Sequence, residues 1–234
     1  VLDSLRFSIA LAVGLPPSLL PAIININLSK GSQAMSDRGV IVRRLESIEN
    51  FGSMDVLCTD KTGTITQGIV QLDGALDVKG NPSDRVMRYA YLNAYLQTGL
   101  TNPLDEAIVR KGKWEVSEAI KVDEIPYDFV RKCLSVVVRW GDQSLLITKG
   151  ALDNVLRICT REQTDGQDEI DGIEMDDARK AEIQALFQQW SSQGYRVLGV
   201  AVKPVPHQDH PYSRQDEAEM IFAGFLLFLD PPKP

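Results

Sequence analysis

The chain has 234 residues, 44% hydrophobic and 24% charged, with a formal net charge of -7. These figures exclude a disordered tail and allow one large domain or two modest ones. The acidic balance, without a basic stripe interleaved with aromatics, excludes a general nucleic-acid surface, so no nucleic-acid partner is expected.

The first segment is unlike the rest. From Phe7 to Leu28 the sequence "FSIALAVGLPPSLLPAIININL" runs 22 residues without a charge, enough to cross a hydrocarbon core of roughly 30 Å at about 1.5 Å per helical residue. It lacks the positive flank and cleavage pattern of a secretory signal. Pro16, Pro17 and Pro21 are expected to break the backbone ladder in mid-span, which membrane proteins tolerate where freed carbonyls line an ion path. Between Lys30 and Arg44 four cations face one anion, so this flank is expected on the cytoplasmic side.

"MDVLC", Met54 to Cys58, is a short apolar run ending in Thr59-Asp60, which reads as a buried parallel strand of an α/β sheet. Active groups in such sheets collect at the carboxyl ends of strands, where Asp60 sits. Gly63 permits a tight turn against a phosphate, and the hydroxyls of Thr62 and Thr64 can donate to its oxygens. A nucleophilic aspartate needs its repulsion from phosphate offset, by Lys61 or a bound Mg²⁺; Lys61 is equally readable as a solvated neighbour.

Beyond Leu72 the composition changes. A helix is expected from near Ser83 and a second from Asn102-Pro103, with Asp105 and Glu106 in its first turn. "CLSVVVRW", "SLLITKG", "YRVLGVAVK" and "MIFAGFLLFL" read as strands, and "MDDARKAEIQALFQQWSSQG" as a helix closed by Gly194. "REQTDGQDEIDGIE" reads as a surface loop, since its carboxylates match no EF-hand register. His207 and His210 lie in a proline-bounded loop and read as solvated residues rather than a metal pair. Cys58, Cys133 and Cys159 lack the close pairing of a zinc or redox site and read as reduced packing residues.

Four positions beyond Leu72 make chemical sense for ATP, three of them with a plainer alternative. Tyr127 offers a face for adenine, or is a core tyrosine at a strand edge. Lys149, followed by Gly150, could meet ribose or phosphate. Arg196 could reach phosphate, or be a solvated strand arginine. Asp105 could hold a ribose or an adenine amine, or be an ordinary first-turn carboxylate.

Asp60-Lys61-Thr62-Gly63-Thr64, followed by Ile65-Thr66, resembles the phosphorylation signature of P-type ATPases. The order "NPLDEAI", "PYDF", Lys149-Gly150-Ala151 and Gly-x-Arg196-x-Leu resembles their nucleotide-binding insert. "LDPPKP", with Asp230 and Pro232, resembles the hinge returning to the phosphorylation domain. "VGLPPSLLP" and "VIVRRLESIENFGSMDVLCTDKTGT" are similar to the bacterial magnesium-transporting subgroup, which usually has Thr-Pro-Glu where this chain has Pro16-Pro17-Ser18, so one carboxylate ligand for the transported ion is missing.

The resemblance implies a transmembrane helix over 1–31 with Pro16, Pro17 and Ser18 on the ion path, and a haloacid-dehalogenase-like start of a phosphorylation domain over 32–71. It further implies an α+β nucleotide-binding domain with an antiparallel sheet over 72–228 and a hinge over 229–234. The implied activity is ATP-driven transport of a divalent cation, with Mg²⁺ as the expected ion, through an aspartyl phosphate at Asp60. Asp60 and Thr62 are the implied sites for the Mg²⁺ cofactor. The implied partners are ATP, the cation, the membrane and the remainder of the pump, at a bacterial inner membrane with most of this chain cytoplasmic. The Gly-Asp-Gly-x-x-Asn-Asp and Thr-Gly-Glu segments of the family do not occur, so the chain reads as a segment of a pump. The rival readings are a haloacid-dehalogenase-type phosphatase, disfavoured because Thr62 stands where such enzymes carry an aspartate, and an ATP-binding fragment without turnover.

Overall fold

The structure, a computed structural model, describes residues 2–99, 102–112, 119–141, 143–164, 170–206, 208 and 210–233; for 11–18 and 62 it describes the backbone alone. The chain divides into two compact units, Val1–Thr59 and Asp60–Pro234.

In the first unit, helix α1 spans Leu2–Ser36 and a short helix α2 spans Ser47–Gly52. Gly31 of α1 faces the Ile48 side chain of α2. No described side chain of this unit is buried, so its described residues form no apolar core of their own. Two expectations need correction here. The prolines do not interrupt α1: their fixed φ lies within the helical region, so they remove donors from the ladder without turning the chain out of it. Nor, among the described residues, is any helix long and apolar enough to cross a membrane. The later part of the apolar run is diluted by Asn25 and Asn27, and the side chains of Pro16, Pro17 and Ser18 lie outside the described residues.

The expected strand over 54–58 is also absent: this stretch is irregular, with Val56 75% and Leu57 69% exposed. A parallel strand is made by its neighbours, and no described strand pairs with it. The haloacid-dehalogenase-like sheet is thus not formed by these residues.

The second unit opens with a single π-helical turn, Lys61–Ile65. It continues with β1 (Gln71–Leu76), α3 (Asp84–Leu96), α4 (Pro103–Lys111), β2 (Ala119–Ile125), β3 (Cys133–Trp140), β4 (Gln143–Ala151), α5 (Leu152–Ile158), β5 (Cys159–Gln163), β6 (Gly172–Glu174), α6 (Asp177–Ser192), β7 (Arg196–Val205) and β8 (Met220–Leu229). Ser83 caps α3 by accepting from Val86 N–H, and Asn102 caps α4 by accepting from Leu104 and Asp105 N–H, with Pro103 in the first turn. Past the end of α6, Gly194 takes φ +90°.

The described strands form one sheet in the order β2-β3-β4-β7-β8-β5-β6, with β1 also on β8. The sheet is mixed rather than antiparallel, because β5 runs parallel to β8 while the other pairs are antiparallel. Thus β5 and β6 occupy both ends of the acidic stretch expected to be a loop; residues 165–169 of that stretch lie outside the described residues. Strand β8 is buried on both faces, which is why it reads as an unbroken apolar run. Two partners share one edge of β8: β5 lies along its start and β1 along its end. Gly224 marks the change, since a Cβ there would lie 2.0 Å from Leu76 O.

Alternation along the strands divides the core. Leu134, Val136, Val138, Leu145, Ile147, Val200 and Val202 pack with α3 and α4. On the other face Val137, Leu146, Val197 and Ala201 pack with α5 and Ile183 of α6. Every connection from β2 to β3, β4 to α5 and α6 to β7 falls at one end of this sheet, together with the start of β1 and the end of β8.

Candidate functional site

Asp60 is exposed and opens the second unit, directly before the π-helical turn. Gly63 turns there at φ +78°, in the region a Cβ disfavours. Its N–H donates to Thr66 Oγ1 at 3.2 Å. The Thr66 hydroxyl is 2.6 Å from Asp230 Oδ2 and 3.1 Å from Lys61 O; its single proton goes to the carboxylate, the nearer and charged acceptor. Asp230 Oδ1 accepts from Gly68 N–H at 3.1 Å. Backbone bonds from Gln67 N to Pro231 O and from Lys233 N to Ile65 O, both 2.9 Å, complete a short pairing of this loop with the segment after β8. The residues expected as a hinge therefore lie against the Asp60 loop: Asp230 by its carboxylate and Pro232 by a bridge to Thr66. Lys61 and Thr64 are exposed, and the Thr62 side chain lies outside the described residues.

Tyr127 sits on the β2–β3 loop, 51% exposed, with the Phe129 ring edge-on to it at 5.4 Å and 90°. It is not a core tyrosine. The loop beneath it is fixed by charge. Asp128 Oδ1 accepts from Val130 N–H at 2.7 Å, and that bond, with those to Arg131 and the charge of Arg214, holds the Asp128 carboxyl below the usual range. Arg131 pairs with the buried Glu217 and donates to Pro126 O at 2.6 Å; Glu217 also accepts from Ser135 Oγ at 2.5 Å. Lys132 ends the loop at φ +52°, exposed, with its carbonyl accepting from Ala151 N–H at 3.0 Å. That contact explains the glycine at 150, since a Cβ there would lie 2.4 Å from Lys132 O. Sequence reasoning passed over Asp128, Arg131 and Lys132, although a charged triplet around an aromatic loop was a usable signal.

Lys149 and Asp105 are ion-paired to each other, 6% and 2% exposed. Lys149 follows Leu145 and Ile147 along one face of β4, so its side chain is on the α3 and α4 side, where Asp105 occupies the first turn of α4. Burial pushes the Lys149 ammonium below its ordinary value, opposed by the charge and hydrogen bond of Asp105. Asp105 Oδ2 accepts from Gln97 Nε2 at 2.6 Å and from Asn102 Nδ2 at 2.5 Å. Arg196 is exposed at the start of β7, on the same face as Leu198 and Val200. Lys149 pairs with Val200, which puts Arg196 four residues further along, about 13 Å in the strand direction.

His210 is exposed, 3.3 Å from Pro211 O, and His207 is outside the described residues. Among the described residues no group of three or more His, Cys, Asp or Glu could hold a metal ion. Magnesium is commonly held by one or two carboxylates completed by phosphate oxygens and water. Asp60 is one such carboxylate, and Asp230 already uses both of its oxygens on Thr66 and Gly68. The chain's described residues do not make a complete magnesium site.

Residues 73–234 match the family described as P-type ATPase, cytoplasmic domain N. Over 99% of its length the chain is 40% identical to proteins named magnesium-transporting ATPase, P-type 1, of Salmonella typhimurium and Escherichia coli K12, covering 26% of each. It is 30% identical to calcium-transporting ATPase 1 of Lactococcus lactis over 100% of the chain and 29% of that relative. Residues 73–234, which carry the mixed sheet with helices on both faces, thus correspond to the domain N of that family. The chain belongs to the P-type ATPases. It spans about a quarter of the length of the curated relatives it matches.

Proposed function

We propose that this chain is the nucleotide-handling part of a magnesium-transporting P-type ATPase. It binds ATP at the end of the sheet where the β2–β3 loop, the end of β4 and the start of β7 meet. Tyr127 stacks on adenine, Asp105 and Lys149-Gly150 form the inner wall, and Arg196 meets the phosphates. In the parent enzyme the γ-phosphoryl group passes to the Asp60 carboxylate, the bond from phosphorus to the ADP oxygen breaking as the acyl phosphate forms. With Thr62 in place of a second aspartate, water has no adjacent base, and the intermediate lasts long enough to drive transport. Magnesium bound with the nucleotide supplies charge neutralisation.

The observation that carries this proposal is convergence. Residues at 127, 149 and 196, singled out separately in sequence, lie at one sheet end, and Asp105 joins them through its ion pair with Lys149. A span of about 13 Å between Lys149 and Arg196 is one that an extended nucleotide bridges. For the transported ion, the support is the names of the relatives at 40% identity. The membrane, at the bacterial inner surface, and the rest of the pump are the further partners of this proposal. Pro16, Pro17 and Ser18 are the proposed ion-path residues.

Calorimetric titration with ATP of the chain and of Tyr127→Ala tests the pocket. Stacking by one aromatic corresponds to about 1–3 kcal/mol, or roughly fivefold or more in Kd. Equal affinity of the two proteins removes the assignment.

A further inference from the structure

Two side chains that make no part of the proposed contacts converge on Asp105. Gln97 ends α3 and Asn102 begins α4, and both amides donate to the same oxygen, Oδ2, at 2.6 and 2.5 Å. The orientation of the Asn102 amide is fixed by its own chemistry. Its oxygen already accepts from Leu104 N–H at 2.9 Å and Asp105 N–H at 3.1 Å, so its NH₂ must face the carboxylate. Gln97 can face a carboxylate only with its NH₂, since its oxygen would be repelled. With Oδ2 occupied by two donors, the other oxygen, Oδ1, takes Lys149.

We infer that Gln97 and Asn102 are positioning residues of the nucleotide pocket, which fix the Asp105 carboxylate so that Oδ1 alone is offered to Lys149 and to a ligand donor group. The inference rests on the proposal that Asp105 lines an ATP site. An incoming amine or hydroxyl then competes for a defined lone pair beside the ammonium rather than for a rotating carboxylate, which lowers the ordering cost of binding. If either amide is removed, a single donor remains on Oδ2, the carboxylate is held less firmly, and its pairing with Lys149 is weakened. A buried amine with a weakened counter-ion is held more often in the neutral, nucleophilic form.

Gln97 gives the cleaner test, because Asn102 also caps a helix. Gln97→Met keeps the length and apolar stem of the side chain and removes the donor; Gln97→Glu keeps the shape and reverses the polarity. Each is measured for ATP affinity by calorimetry, for thermal midpoint, and for the rate at which an amine-reactive reagent modifies Lys149, read by mass spectrometry. The expected result is roughly tenfold weaker ATP binding in both variants, from a hydrogen bond to a charged group, with Lys149 modified several-fold faster than in the parent chain. A purely packing role predicts that Gln97→Met binds ATP and protects Lys149 like the parent, and that result overturns the inference. If Gln97→Met does not fold, Gln97→Glu decides by the same two readings: unchanged affinity and unchanged labelling overturn the inference. Tyr127→Ala in parallel separates the two levels. Unchanged affinity there refutes the pocket itself, whereas a loss there with neutral Gln97 variants refutes only the positioning role.

Discussion

Removing one half of the Lys149–Asp105 pair is the sharpest perturbation of the core, because both groups are almost fully enclosed. Asp105→Ala leaves a buried ammonium and two amides without their acceptor. Breaking a buried pair in this way costs about 3–5 kcal/mol. For a domain of this size each kcal/mol corresponds to roughly 2–4 °C, so the midpoint is expected to fall on the order of 10 °C. Replacing both partners, Asp105→Leu with Lys149→Met, is expected to recover most of that loss, since no charge is then desolvated and only the two amides still lack their acceptor. The direction of the Lys149 shift agrees: burial outweighs the attraction of Asp105, so the ammonium destabilises the folded state even when paired. The folded value lies below the unfolded 10.5, so the unfolded chain binds this proton more tightly and stability rises with pH through that window. The stability of the double variant relative to the parent therefore falls between neutral pH and about pH 10. Differential scanning calorimetry of the parent, the single and the double variants at both pH values measures this. A single variant within about 2 °C of the parent, or a double variant as damaged as the single, would refute the reasoning.

Three further outcomes follow from the same geometry. Burial raises the Cys133 thiol to about 11 and also raises that of Cys159, whereas Cys58 is exposed; one thiol per native chain should react quickly with a disulfide reagent at pH 8, and three in denaturant. Burial alone would raise the Glu124 carboxyl, but bonds from Lys121 and from Thr98 N–H and hydroxyl hold it below 4.5. Its stabilisation is present above pH 4.5 and lost as pH falls through the folded value, so the midpoint difference between parent and Glu124→Gln should narrow from pH 7 to pH 3. Asp230→Ala removes the acceptor of Thr66 and Gly68; hydrogen exchange at residues 66–68 should quicken at least tenfold with the β3 and β4 amides unchanged, and equal loss in both places would deny the local closure.

The helices were legible where a cap announced them: Ser83, Asn102-Pro103 and Gly194 each mark an end that the backbone adopts. β3, β4, β7 and β8 were legible from apolar runs. β2 was not, because "AIKVDEI" lies at the sheet edge and alternates polar with apolar residues. β1 carries Asp73 and Gly74 at a bulge, which hides its period. The run at 54–58 misled for a different reason: an apolar pentapeptide becomes a parallel strand only beside partners, and the described strands do not pair with it. In the site, residue types at 60, 105, 127, 149 and 196 could be singled out individually. The pairing of Asp105 with Lys149, 44 residues apart, and of Thr66 with Asp230, 164 apart, depends on the sheet register and had no local signal.

Amide chemical-shift mapping during an ATP titration of the chain tests the account most directly. The expected result is a saturable set of shifts confined to the 126–132 loop, Asp105, Lys149 to Ala151 and Arg196, largely lost in Tyr127→Ala. Saturable shifts centred elsewhere, for example on the α6 surface around Arg179 and Gln189, or no saturable shifts at all, would contradict it.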